Sequence, residues 1–488
     1  MTALTPRAAV WCYAAVVAAT VSYFLIDIPV QLSDSLQNIF AVDRRTLREL
    51  VTNNLWATGY MRPLLFAPIR IVYLLSDGDY TAWFRGVHAA QLALTIAVCV
   101  AVTRVRTWPQ AAAAPVGLAV LLSMHTFADT IREAFPVNAY LTIVTCCLAA
   151  VLLARSRHRW WFDPAAVLLF VLAAFSVESG LLVWVVVVAA FAAGWRGVSR
   201  WGVAATTLGL VGYFVLRYLV LDVGTPGLDE RATGFGLVVL QPEEIQARFS
   251  ANPLPFYLYN ILASVGSVLF AEPRAGVFWV VRDALRQELQ PWMVVNMVAC
   301  AALTVLLVTH VVRGWDRWRR WALDDADRMV VVFVAVLGAN ATMNLVYTKD
   351  VIMSPAGALF GVAAFGALSA RLADARLADA RLADARLADA TPSRARGLRV
   401  PALVAVIALT WGIKTAGVHY SLRDSAHGTR KAWAYADAWI EDQDVDLSRP
   451  RERAIKDALM ADALWRRPAA PRIQIHWRWP GSWFDTTQ

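Results

Sequence analysis

The chain is poor in charge and in cysteine. Only 17% of its 488 residues are Asp, Glu, Lys or Arg, against 58% hydrophobic. A soluble domain of this length needs more polar surface than that, so a water-soluble globular protein is excluded. The five cysteines, Cys12, Cys99, Cys146, Cys147 and Cys300, all fall inside apolar runs. That excludes an extracellular disulfide framework, and their spacing excludes a zinc site. A small-residue cleavage site is missing after "AAVWCYAAVVAATVSYFLI", so this stretch is expected to stay as an anchored first span. No pairing of halves is visible, which weighs against the repeat architecture of many transporters.

What remains is long apolar runs separated by short basic loops. Full spans are expected near 8–26, 80–103, 109–124, 137–154, 162–177, 180–194, 203–221, 292–312, 329–346, 354–370 and 401–418. The expected fold is therefore an all-α polytopic membrane protein with eleven transmembrane helices. The net charge of +9 and the 21 tryptophans concentrate in clusters such as "RHRWW" and "RGWDRWRRW". Indole and guanidinium both find partners among lipid headgroups, so membrane orientation, rather than nucleic-acid binding, accounts for the basicity.

With the N-terminus inside, "RVRTW", "RSRHRWWFD", "WRGVSRW", "RGWDRWRRWALDDADR" and 371–400 become cytoplasmic. The opposite short connections at 125–136, 177–179 and 347–353 carry only Arg132 and Lys349 as bases. Residues 1–370 then form the main membrane region, with external loops 27–79, 125–136 and 222–291. Within the last loop, 255–271 is expected to lie in the interface or re-enter. "RLADA" occurs four times over 371–390. A five-residue step advances about 500° round a helix, so no seam is kept and a solvated cytoplasmic linker over 371–400 is expected. A last span, 401–418, leads to an external tail, 419–488, which is expected to pack on the membrane domain.

The side chains able to do chemistry gather on the external face. Loop one has Asp34 and Arg62, and loop two has His125, Asp129, Arg132 and Glu133. Glu178 lies in the hairpin "SVES", Arg217 near the outer end of its span, and Tyr347, Lys349 and Asp350 in "YTKDVIMSP". An ionisable group at a span boundary is costly unless it meets water, a partner or a substrate. Carboxylates beside cations suit a reaction in which a base accepts a proton from an acceptor hydroxyl while Arg and Lys hold a departing lipid phosphate. Plainer roles compete. Asp43 in "DRRTLRELV" scans as a helix N-cap, Arg70 and Arg85 as headgroup-snorkelling residues, and His125 as an interfacial residue. Glu178 is equally placed to mark a turn, whereas Asp34 in "LSDSLQNIF" has no obvious helix to cap.

"GYMRPLLFAPIRIVYLLSDGDYTAWFRGVHAAQLALTI" resembles the "YRPL" segment and following histidine-containing helix of GT-C glycosyltransferases near the protein O-mannosyltransferases. "FSVESGL" is similar to that family's "SKE" hairpin, and "KDVIMSPAGALFG" to its late "RYLYLPSIG" element. The resemblance implies a GT-C bundle that transfers a sugar, with inversion, from a polyprenyl phosphate on the non-cytoplasmic face of a bacterial-type inner membrane. Under it Asp34 matches the first-loop acid, Arg62 the arginine of "RPL", His88 the helix histidine and Glu178 the acid of "SKE". Asp129 and Glu133 compete for the second-loop acid. Ser33 stands where such enzymes often have a paired acid, and Val177 where they have the lysine of "SKE". The implied partners are the bilayer, the polyprenyl-phosphate sugar and an acceptor glycan, lipid or protein, with no nucleic acid. A divalent cation is compatible, but no ligand spacing is diagnostic. A flippase of a lipid-linked saccharide is the competing function.

Overall fold

A computed structural model describes residues 4–29, 33–56, 61–77, 80–123, 138–222, 233–234, 238–239, 243–244, 247, 252–270, 276–289, 291–346, 350–386, 399–429, 433 and 449–465. These form eighteen α-helices: α1 Pro6–Ile26, α2 Ser33–Arg44, α3 Leu47–Trp56, α4 Pro63–Ser76, α5 Tyr80–Thr103, α6 Trp108–Leu121, α7 Ala139–Ala154, α8 Phe162–Ala174, α9 Leu182–Ala192, α10 Arg200–Phe214, α11 Leu254–Leu269, α12 Gly276–Leu285, α13 Pro291–Arg313, α14 Trp315–Arg319, α15 Asp325–Met343, α16 Ser354–Arg386, α17 Arg399–Thr429 and α18 Pro450–Trp465. A 3-10 turn at Glu178–Leu181 precedes α9, a π-helical turn at Val215–Val220 continues α10, and a 3-10 turn at Asp350–Met353 precedes α16. Among the described residues one strand pairing occurs, antiparallel, Thr233 with Val239 and Gly234 with Val238.

Seven helices are long and apolar enough to cross a membrane, which makes this an all-α polytopic membrane protein. The described parts of the other four expected segments lie on shorter apolar helices, α6, α7, α8 and the stretch Glu178–Ala192. Within Val351–Ala375, which runs from the preceding turn into α16, 94% of the residues in the 18-residue apolar stretch are buried, and α6, α15, α7, α13, α17 and α5 all contact this helix. A helix apolar on every side needs such a central position. Closest approach occurs at α6, where a Cβ added to Gly361 would lie 2.9 Å from the Gly117 carbonyl oxygen. By contrast only 17% of the residues in the 18-residue apolar stretch of α1 or of Arg200–Val220 are buried, and side chains such as Val16, Tyr23, Leu208 and Leu219 face outward.

Local chemistry sets where the helices begin. Thr5 Oγ1 accepts from Ala8 N ahead of Pro6, and Asn138 Oδ1 accepts from Leu141 N at 2.8 Å. Thr107 with Gln110, and Asp324 with Asp327, make capping boxes. Asp77 ends α4 and Arg104 ends α5, with φ of 42° and 49°.

Ion pairs and hydrogen bonds sort the connections onto two ends of the bundle. At one end Arg104 Nη1 donates to the Arg155 carbonyl, Arg155 pairs with Asp325, Trp195 Nε1 donates to Asp325, and Trp321 Nε1 donates to the Ala192 carbonyl. The loops 104–107, 155–161, 194–199 and 314–324 therefore share one face. At the other end Arg423 pairs with Asp27 at 2.8 Å, and His419 bonds the Leu122 carbonyl left over at the end of α6.

Several expectations need correction. Asp43 caps no helix. Thr46 and Glu49 cap α3 reciprocally, because the Thr46 backbone N–H and hydroxyl both reach Glu49 Oε2, at 2.7 and 2.9 Å. Asp43 instead accepts from the Tyr73 hydroxyl at 2.6 Å and pairs with Arg451. Arg70 and Arg85 do not snorkel: Arg70 donates to the Val42 carbonyl, and Arg85 is fully buried. Asp34 does lie on a helix, in the first turn of α2, where the macrodipole favours an acid. The RLADA segment is not a separate linker over its described part, since α16 runs unbroken from Ser354 to Arg386. Ala and Leu dominate those repeats, and nothing in them stops a helix. Likewise α17 continues to Thr429, past the expected end at 418.

The tail helix α18 packs against α2, α3, α4 and α5. Ile455, Leu459, Ala463 and Trp433 join Ile39, Phe40, Val42, Leu50, Ile69, Val72, Tyr73 and Phe84 in a second core beside the main one. Arg44 holds Glu452 through two 2.6 Å hydrogen bonds across its rim.

Candidate functional site

Glu178 opens the 3-10 turn between α8 and α9, at the same end of the bundle as Asp27 and Arg423. The turn cannot lengthen, because the chain must reverse between two apolar helices within Ser176–Gly180. Gly180 makes this reversal feasible: a Cβ there would lie 2.0 Å from the carbonyl carbon of Ala173. Gly180→Ala is expected to lower stability by about 1–3 kcal/mol or more through overpacking. The check is the melting temperature of the purified protein, and an unchanged value would show that the backbone contact relaxes freely.

Two arginines from distant elements close on the carboxylate. Arg62, the residue immediately before α4, donates from Nε and Nη2 to Glu178 Oε2 at 3.0 and 2.5 Å. Arg217, in the π-helical turn, donates from Nη1 to Glu178 Oε1 at 3.2 Å and to the Tyr213 hydroxyl at 3.0 Å. Arg217 is 1% exposed, whereas the Glu178 and Arg62 side chains keep 22% and 27% of their surface. The cluster thus has one buried wall and one accessible side. A π turn is rare and recurs at functional sites; here it turns Arg217 inward among Tyr213 and Glu178. The α4 end is tied to the same hairpin by the backbone, through Leu64 N donating to the Phe175 carbonyl at 3.0 Å. A carboxylate held by two guanidiniums stays anionic and is a poor proton acceptor. Glu178 is therefore suited to orienting cations rather than to acting as a base.

The other expected residues divide into three groups. His88 is fully buried and does not join Glu178: its Nδ1 sits 3.3 Å from Arg85 Nη1. A guanidinium only donates, so Nδ1 is the acceptor and the ring is neutral with its proton on Nε2. Arg85 in turn donates Nε and Nη2 to the carbonyls of Ile28 and Pro29, at 2.8 and 3.0 Å. The pair thus anchors the backbone that leads into loop one. For Asp34 and Asp350 only the backbone, on α2 and on the turn before α16, is described. His125, Asp129, Arg132, Glu133, Tyr347 and Lys349 lie outside the described residues.

Inspection of the sequence missed Tyr213 and Gly180. Tyr213 stands four residues before Arg217, a helical neighbour spacing that could have pointed to it. Gly180 follows the acid directly in "ESG", but a glycine's requirement appears only once a backbone neighbour is in place.

One grouping among the described residues has the composition of a metal site: His310, Asp324 and Asp327 offer ligand atoms within 4.8 Å of one another. Its donors are already spent. Asp327 accepts from Trp318 Nε1 at 2.8 Å, Arg317 Nε at 3.1 Å and Asp324 N at 3.1 Å, while Arg317 Nη2 lies 3.2 Å from Asp324 Oδ2. Arg317 thus pairs with both acids and His310 Nε2 lies 3.0 Å from Asp327 Oδ1, so this is an ion-paired helix cap at the end opposite Glu178. No protein family, curated protein or solved structure matches the chain.

Proposed function

We propose that this protein is an inverting membrane-embedded glycosyltransferase of GT-C type, which moves a sugar from a polyprenyl-phosphate donor to an acceptor on the non-cytoplasmic face. The observation that carries the reading is the convergence of Arg62, Glu178 and Arg217 from three separate elements onto one partly accessible cluster. Two guanidiniums around one carboxylate retain a net positive charge, which suits the single charge of a phosphodiester. A guanidinium has five N–H donors, and the two that Arg62 gives to Glu178 do not by themselves exhaust it. Asp34 is the proposed general base, and Glu178 orients the cations that receive the leaving phosphate.

The proposal includes an eleven-span topology with the Arg- and Trp-rich loops on the cytoplasmic side, the Glu178 cluster outside in the periplasm or at the cell exterior, and 419–488 as an external tail domain. In protein with Cys12 replaced by Ser, a membrane-impermeant thiol reagent is expected to label cysteines introduced in 222–250 and 425–480. It should miss those in 314–326 and 375–398. External labelling of 314–326 would make Leu254–Leu269 a full span and invert everything after it.

Activity is tested by mass spectrometry of lipid-linked sugars and envelope glycans in cells with and without the gene. The expected result is loss of one glycan with accumulation of its lipid-phosphate donor. Accumulation of an untransferred lipid-linked saccharide confined to the cytoplasmic leaflet would identify a flippase instead.

A further inference from the structure

The end of the bundle opposite Glu178 holds a group of exposed arginines that the transferase reading does not use. The loops 155–161 and 194–199 are locked together: Gly197 N donates to the Ala154 carbonyl at 2.8 Å, and His158 Nδ1 lies 2.9 Å from the Gly197 carbonyl oxygen. Only glycine permits this, since a Cβ at Gly197 would come within 2.0 Å of the Leu153 carbonyl oxygen. The acid beside these loops is engaged, Asp163 accepting from Ser199 N and Oγ at 2.9 and 2.6 Å.

Four exposed arginines stand on and beside this double loop: Arg157, Arg159, Arg196 and Arg200. Among the described residues no carboxylate pairs with any of them, whereas the neighbouring Arg155 is neutralised by Asp325. Arg196 donates Nη1 to the carbonyls of Phe191 and Trp195 at 2.5 and 3.0 Å and lies over the Phe191 ring at 4.2 Å, while Arg200 lies over Trp201 at 5.3 Å. Trp160 and Trp201 are 82% and 70% exposed. Exposed basic side chains on adjoining loops attract anions at a membrane surface. Guanidinium forks match phosphate oxygens, and indole rings settle at headgroup depth. Four apolar helices, α7, α8, α9 and α10, begin or end at these loops, so the nearest source of phosphate is the bilayer itself.

We infer that the 155–161 and 194–200 loops bind the headgroup of an anionic phospholipid, with the arginines on its phosphate and Trp160 and Trp201 against the glycerol and upper acyl region. This site is independent of what the Glu178 cluster does. A basic residue near a membrane surface strengthens anionic-lipid binding several-fold, so the wild type is expected to prefer phosphatidylglycerol over phosphatidylcholine by about tenfold or more.

The test is native mass spectrometry of the full-length protein from mixed micelles of phosphatidylglycerol and phosphatidylcholine. Wild type should retain a phosphatidylglycerol molecule that R157Q/R159Q and R196Q/R200Q each lose, and raised salt should weaken its retention. A fourfold variant, R157K/R159K/R196K/R200K, keeps the charge while removing the planar forks, and its retention should fall between the two even if the Gln variants fold poorly. Equal retention by all proteins, full retention by the Lys variant, or no preference over phosphatidylcholine would overturn the site. Millimolar inorganic phosphate should neither displace the lipid nor raise the melting temperature. If it does both, the ligand is free phosphate and the lipid assignment fails.

Discussion

Glu178→Gln is expected to raise the Michaelis constant for the lipid donor by about 10- to 100-fold, because hydrogen bonds to charged groups are typically worth about 1.5–3 kcal/mol. The carboxylate touches both Arg62 and Arg217. An amide presents a single carbonyl oxygen, and its NH₂ cannot accept from a guanidinium, so one arginine loses its alignment. The truncation Glu178→Ala goes further, leaving the 1% exposed Arg217 without its acid. Breaking a buried pair in this way costs about 3–5 kcal/mol, and the accessible side of the cluster puts the expected loss near 3 kcal/mol. Steady-state kinetics of the Gln variant and thermal unfolding of the Ala variant are separate readouts. Donor affinity and turnover unchanged in Glu178→Gln would reduce the residue to part of a turn, with Ser176 and Ser179 beside it. The chemistry would then rest on Asp34, Asp129 and Glu133.

Asp34→Asn is expected to leave the fold and donor binding intact while lowering turnover by about 10²–10⁴-fold, the usual contribution of a general base. Because Asp34 lies in the first turn of α2, an acid there also stabilises the helix by about 0.3–1 kcal/mol. The two roles separate cleanly, since the Asn variant still suits a helix start but cannot accept a proton. A turnover near wild type together with a small fall in melting temperature would make Asp34 a helix-stabilising acid and nothing more.

His88 shows how a residue singled out by a motif acquires neighbours that the motif does not name. Aligned on the "RPL" segment and its following helix, it is a plausible contact for substrate, yet Arg85 three residues earlier takes up its Nδ1 and both are fully buried. The i, i+3 spacing was open to inspection. The carbonyls of Ile28 and Pro29 that Arg85 also binds were not, because they come from a chain segment more than fifty residues away.

The amino-acid sequence alone determined the class of fold and the two-ended distribution of charge. Apolar length decides which segments suit the bilayer, and unpaired backbone cannot be left in lipid, so long runs such as 80–103 and 292–312 become helices whatever their neighbours. Helix starts at Thr5, Asn138 and Ser199 were equally local, since one side-chain oxygen satisfies an N–H two or three residues away. Tertiary structure alone decided which charges meet. Glu178 had Arg62, Arg217 and Lys349 as open partners, and joining the first two spans separations of 116 and 39 residues. It also decided that Asp43 pairs with Arg451 instead of capping α3, and that the RLADA repeats extend a buried helix. The physical reason is common to these cases: helix geometry acts over three or four residues, whereas a charge brought near the membrane is neutralised by whichever opposite charge the packing of distant helices carries within reach.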